Sequence, residues 1–139
     1  MVMILTKRKL PPASDWRTRD IDDWNVTTFH SFIIDGTRER YGVEYTPGGG
    51  GSRSQRWMRE KGMLKQAQQA YGNEVLRKFI EICWREYRTN QPDKYPYPTF
   101  SFMYAYMDRC LPEAQAEVER EKRKEQSKEN NINDVMEWL

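Results

Sequence analysis

NEVLRKFIEICWREYRT, residues 73–89, reads as the central helix of one small all-α domain. Val75, Leu76, Phe79, Ile80, Ile82, Cys83, Trp84 and Tyr87 recur at spacings of three and four, so the apolar face is wide enough to meet several neighbours at once. A helix of that kind belongs in the middle of its fold. Asn73 is placed to cap the first turn through its side-chain oxygen, and Glu74 complements the positive end of the helix dipole.

Upstream, a second helix is expected from about Ser54 to Ala70, with Trp57, Met63, Leu64 and Ala67 on one side. The short Gly72-Asn73 junction makes it an antiparallel hairpin with the central helix. Residues 47–52, PGGGGS, have no helical or strand preference and read as a flexible loop. The run has the form of an engineered spacer, but each side alone offers a poor core, which favours a natural surface loop. Asn25 caps a first helix from Val26 to about Arg40, with Val26, Phe29, Phe32, Ile33 and Thr37 inward and Gly42 as its stop. Residues 1–24 are expected to form an arm laid along the domain and pinned by Trp16 and Trp24.

Downstream, Pro92, Pro96 and Pro98 exclude helix through a tyrosine-rich crossing. A fourth helix opens at Thr99 or Ser101 with Phe100, Met103, Met107 and Leu111 inward, and Pro112 breaks or restarts it. That bounds the helical domain at residues 25–111. Residues 112–130 follow, and from Glu113 on they offer one large apolar side chain, Val118, among charges that pair at four-residue spacing. Such a helix should project or fray. Residues 131–139 then form a short amphipathic helix, with Ile132, Val135, Met136 and Leu139 in one stripe and Trp138 alongside. The expected fold is thus a bundle of about four helices with an N-terminal arm, a charged fifth helix and a separate C-terminal helix.

Composition agrees with a helical domain carrying polar extensions: 32% of the 139 residues are charged and 37% hydrophobic. Five Trp, eight Tyr and five Phe imply a core built on rings, with some left for a surface. The two cysteines, Cys83 and Cys110, form no CxxC pair and point to a reducing setting. Met1 to Leu5 is apolar but short, and Lys7, Arg8 and Lys9 follow it, which is neither a signal peptide nor a membrane span.

No catalytic set is evident. His30 is the single histidine, so a serine or cysteine nucleophile lacks a base of that kind. Asp15, Asp20, Asp22 and Asp23 alternate with arginines and read as a solvated stretch rather than a metal site, and no cofactor is implied. The glycine run lacks both the spacing and the lysine of a phosphate loop.

Two surfaces remain as candidates. The net charge is only +2, yet residues 53–65 hold five bases (Arg53, Arg56, Arg59, Lys61, Lys65) against one acid, at a helix N-terminus that itself favours anions. With Trp57 among them to stack a base, this pattern suits DNA or RNA, and an ordinary charged face produces the same pattern. The terminal stripe Ile132, Val135, Met136, Trp138 and Leu139 suits a partner's groove, docking back onto its own domain, or self-association.

WMREKGMLKQ at residues 57–66, AYGNEVLRKFIEICWREY at residues 70–87 and YPTFSFMYAYM at residues 97–107 resemble accessory replication proteins of bacteriophages and related mobile elements. The resemblance implies DNA-associated work such as recruiting or loading a replicative helicase, in a bacterial cytoplasm. A helical domain with a mobile tail is also similar in outline to phage helicase loaders, whose tails engage the helicase. The expectation is a non-enzymatic DNA-replication accessory protein without a membrane partner, and the competing one is a protein-only adaptor or inhibitor of a host factor.

Overall fold

The structure is a computed structural model and describes residues 9–138. Among these residues the chain is all-helical, with five α-helices, one 3₁₀ turn and no strand. Helix α1 is Val26–Tyr41, α2 Arg53–Tyr71, α3 Asn73–Glu86, α4 Phe100–Tyr106 and α5 Cys110–Glu137. As expected, α3 sits centrally: it packs on α2, α4, α5 and the 3₁₀ turn Ile21–Asp23. Leu76, Phe79, Ile80, Ile82, Cys83 and Trp84 on it are all buried.

The start and stop of α1 follow the sequence. The Asn25 side chain accepts from the Thr28 N–H at 3.0 Å, while the Thr28 hydroxyl accepts from the Asn25 N–H at 3.2 Å, so two end groups are satisfied reciprocally. Gly42 ends the helix in the left-handed region. At α3 the expectation fails. Gly72 is the N-cap, and its φ of 83° with ψ of 164° belongs to a region almost reserved for glycine, which lets α2 reverse into α3 within one residue. Asn73, displaced into the helix, gives its first turn no side-chain cap. Its amide instead donates to the carbonyls of Ile21 and Trp24 at 2.7 and 3.0 Å and accepts from Gln68.

Asn73 thereby pins the N-terminal arm, together with the tryptophans. Trp24 is buried with its indole N–H on the Arg19 carbonyl, and the Trp16 N–H donates to Asp35 at 2.8 Å. Their rings meet Phe32 edge-on or tilted at 5.0 to 5.2 Å between centroids, and Phe32 in turn meets Trp84 at 5.3 Å. The core is built on rings, as the composition implied.

Gly36 on α1 is where Trp84 comes closest: a Cβ there would lie 2.2 Å from Cη2 of the buried indole. Gly36→Ala is therefore expected to lower stability by a net of about 1–2 kcal/mol, because the clash outweighs the helix propensity that alanine gains. A urea midpoint equal to that of the parent chain would mean that the indole has room to move.

The C-terminal half departs from the expected layout in three places, and Pro112 takes the second of its two expected roles. Helix α3 ends at Glu86 rather than Thr89, because Tyr87 turns extended and its hydroxyl donates to the Tyr95 carbonyl, closing a loop. Helix α4, capped by Thr99, stops at Tyr106, and Leu111 belongs to α5. Pro112 lies in the first turn of α5, where no intrahelical N–H bond is needed, so it starts a helix rather than breaking one. Finally, α5 continues from Cys110 to Glu137 without interruption, so the terminal helix is not a separate element.

The first half of α5 is docked rather than frayed. Cys110, Leu111, Ala114 and Val118 are buried against the body, and ion pairs Arg85–Glu113 at 2.6 Å, Lys78–Glu121 at 3.1 Å and Lys122–Glu74 at 3.6 Å bridge to α3. Being exposed, each such pair adds less than about 1 kcal/mol, so the buried small side chains hold the contact. Cys83 and Cys110 are both free and buried, and burial pushes the Cys83 thiol well up.

Candidate functional site

The basic start of α2 is not one face. At 100° per residue, Arg59 is turned about 160° from Lys61 and about 120° from Lys65 around the helix. Arg53, Lys61 and Lys65 are exposed, whereas Arg56 is half-buried with Nε shielded from solvent. Arg59 is engaged locally, donating to the Gly50 carbonyl at 2.9 Å. Trp57 is partly buried and packs against the His30 and Tyr45 rings, at 5.0 and 6.1 Å.

The glycine run is ordered by its surroundings. Ser52 caps α2, accepting from Gln55 N–H, while the Gln55 side chain accepts from Ser52 N–H. Pro47 is fully buried, and Gly48 lies against Thr99. The residues on both sides of the run share one core, since Tyr45 is buried between α2 and the start of α4.

That contact contains a polar cluster which the sequence did not reveal. Glu60 is only 2% exposed; its Oε1 accepts from the Tyr45 hydroxyl and from the Phe100 N–H at 3.2 Å. The Phe100 N–H also donates to the Tyr45 oxygen at 2.9 Å, and Nε2 of His30 stands 3.7 Å from Glu60 Oε2. Burial, then the Glu60 carboxylate, pushes the Tyr45 phenol well above its ordinary range. The cluster ties α1, α2, the loop between them and α4 together. Among the described residues no three His, Cys, Asp or Glu side chains converge as a metal site would require, and no helix is long and apolar enough to cross a membrane.

Beyond Lys122 the side chains of α5 are exposed. Residues 123–137 extend the helix by about 22 Å at 1.5 Å per residue. Ile132, Val135, Met136 and Trp138 are exposed near its end, Trp138 by 90%, so this stripe does not dock back onto the body. Leu139, the last member of the stripe, lies outside the described residues.

A third surface lies where Tyr87, Tyr95, Tyr97, Phe102 and Tyr106 line a cleft of about 970 Å³, closed on one side by Gly48 and Gly49. The Tyr97 hydroxyl is held by the Thr46 backbone, accepting from its N–H at 2.9 Å. Arg88 lines the cleft and is anchored on the carbonyls of Arg85 and Tyr87. Phe102 and Tyr106, spaced i,i+4 on α4 beside the inward Phe100 and Met103, are the pattern in the sequence that could have marked it.

No protein-family model, no curated protein and no solved structure matches this chain.

Proposed function

We propose that this chain is a non-enzymatic accessory protein whose helical body presents the outer half of α5 to a protein partner. The observation that carries the reading is the apolar stripe Ile132, Val135, Met136 and Trp138, exposed on a charged helix that leaves the body. Apolar side chains at i, i+3 and i+4 on such a helix suit a hydrophobic groove, and the tip surrounds them with Glu129, Asp134 and Glu137. The resemblance to phage replication proteins makes a hexameric bacterial replicative helicase the partner of choice and DNA the nucleic acid concerned. Arg53, Lys61 and Lys65 are exposed and suited to phosphate, while Trp57 beside them is partly engaged in packing.

The test is co-elution of the purified chain with such a helicase on size exclusion. Removal of residues 131–139 is expected to weaken association at least tenfold, while the thermal midpoint stays unchanged because residues 131–138 are exposed. Association that survives the truncation refutes the docking role of α5. Failure of the full chain to associate moves the reading to an adaptor or inhibitor of a different host factor.

A further inference from the structure

The geometry points to the aromatic cleft between the loop after α3 and α4 as a binding site for single-stranded DNA, with unstacked bases on its rings. The inference rests on the replication reading for the choice of DNA, and it moves the nucleic-acid contact away from the start of α2.

Three observations combine. First, apolar rings are left in solvent where the fold had other rings to bury: Tyr95 is 53% exposed, Phe102 40% and Tyr106 70%. Phe102 and Tyr106 lie 5.3 Å apart at 42°, and Tyr87 braces Phe102 edge-on at 5.9 Å, so the exposed faces are held rather than loose. Rings presented this way accept any base, because every base has a π-face.

Second, the one charged side chain in the lining is a cation. The lining contains Arg88 and no carboxylate. The Lys94 ammonium stands 5.4 Å from the Tyr95 ring centre, and Arg109 is fastened at 3.3 Å to the Tyr106 carbonyl. Arg88 in the lining, with Lys94 and Arg109 fastened to two of its tyrosines, gives a phosphate backbone positive charge to meet, although Glu86, Asp93 and Asp108 neighbour these residues in the chain.

Third, the remaining lining groups are Thr89, Asn90, Thr99 and Ser101, whose hydroxyls and amide both donate and accept. They suit the mixed edges of bases. An acidic peptide would satisfy the cations alone. The α5 tip of a second copy, which carries Trp138 and three acids, is the rival occupant.

The test is fluorescence anisotropy of a labelled 12-nucleotide oligo(dT), titrated with the full chain at low and moderate salt. A hairpin duplex and oligo(U) of equal length serve as comparators. Salt-sensitive binding is expected, at least tenfold tighter for oligo(dT) than for the duplex. Phe102→Ala and Tyr106→Ala should each weaken it roughly five- to 150-fold. Both rings are exposed enough that the helical circular dichroism should not change. Arg88→Ala should weaken binding and flatten the salt dependence. The triple change of Arg53, Lys61 and Lys65 to Ala should act less than either ring.

The proposal is overturned if oligo(dT) fails to bind at low salt, if the ring variants bind normally, or if duplex or oligo(U) binds as tightly as oligo(dT). It is also overturned if the ring variants abolish a dimer seen by light scattering instead of DNA binding. Helicase association measured on the same variants separates the readings: its retention without DNA binding removes this site alone.

Discussion

Phe79→Ala is expected to lower the stability of the chain by about 3–5 kcal/mol and, for a domain of this size, to leave it partly or wholly unfolded at 37 °C. Phe79 is fully buried midway along α3, the helix that meets α2, α4, α5 and the arm's 3₁₀ turn. Removing a fully buried ring from the helix that packs on all of these elements leaves a cavity that none of them can fill without leaving another contact of α3. Trp84→Ala should act similarly, because Phe32, the Arg40 guanidinium at 4.3 Å and the α1 backbone at Gly36 all rest on that indole. Urea denaturation followed by circular dichroism measures both. An unchanged midpoint for either would show that α3 is not the element around which the chain packs.

Glu60→Ala is expected to cost about 2–4 kcal/mol, through a lost acceptor as much as lost volume. The Tyr45 hydroxyl would face a buried space without its carboxylate, and the Phe100 N–H would keep only the Tyr45 oxygen. Glu60→Gln retains an acceptor oxygen in the same place, so it should lose no more than about 1 kcal/mol. This contrast is the informative result. If Gln and Ala destabilise equally, negative charge rather than hydrogen bonding holds the cluster; if neither does, α4 is anchored by its apolar residues alone.

Most of the helical framework was legible because it depends on local signals: Asn25 and Gly42 bound α1, and the three- and four-residue spacing around Phe79 marked α3 as central. Errors arose where a residue had a second use for the same atoms. Asn73 looks like a cap, but its amide satisfies two carbonyls of an arm about fifty positions earlier, which no local pattern can announce. The docking of α5 was hidden because Leu111 reads with the fourth helix, Cys110 and Ala114 are small, and Val118 alone shows little hydrophobicity along the chain.

The candidate sites were legible to differing degrees. The terminal stripe was plain, since its pattern needs nothing from the rest of the fold. The basic cluster read as a site only while treated as a string; placed on a helix, Arg59 turns away from Lys61 and Lys65, and Trp57 packs against His30 and Tyr45. Glu60 counted as the single acid in a basic run and proved to be a buried junction. The cleft needed the turn at Tyr87 and the glycine wall to assemble, both set by tertiary contacts.

An unbroken α5 makes the aim of its tip a matter of counting. With every turn from Cys110 to Glu137 in register, the azimuth of Ile132, Val135, Met136 and Trp138 relative to the body is set by the number of intervening residues. One residue added between Arg123 and Asn131 swings the stripe by about 100°, whereas four carry it outward by about 6 Å and return it to within about 40° of its first bearing. The charged turns therefore act as a graduated shaft, whose length and phase matter more than the identity of the side chains along it.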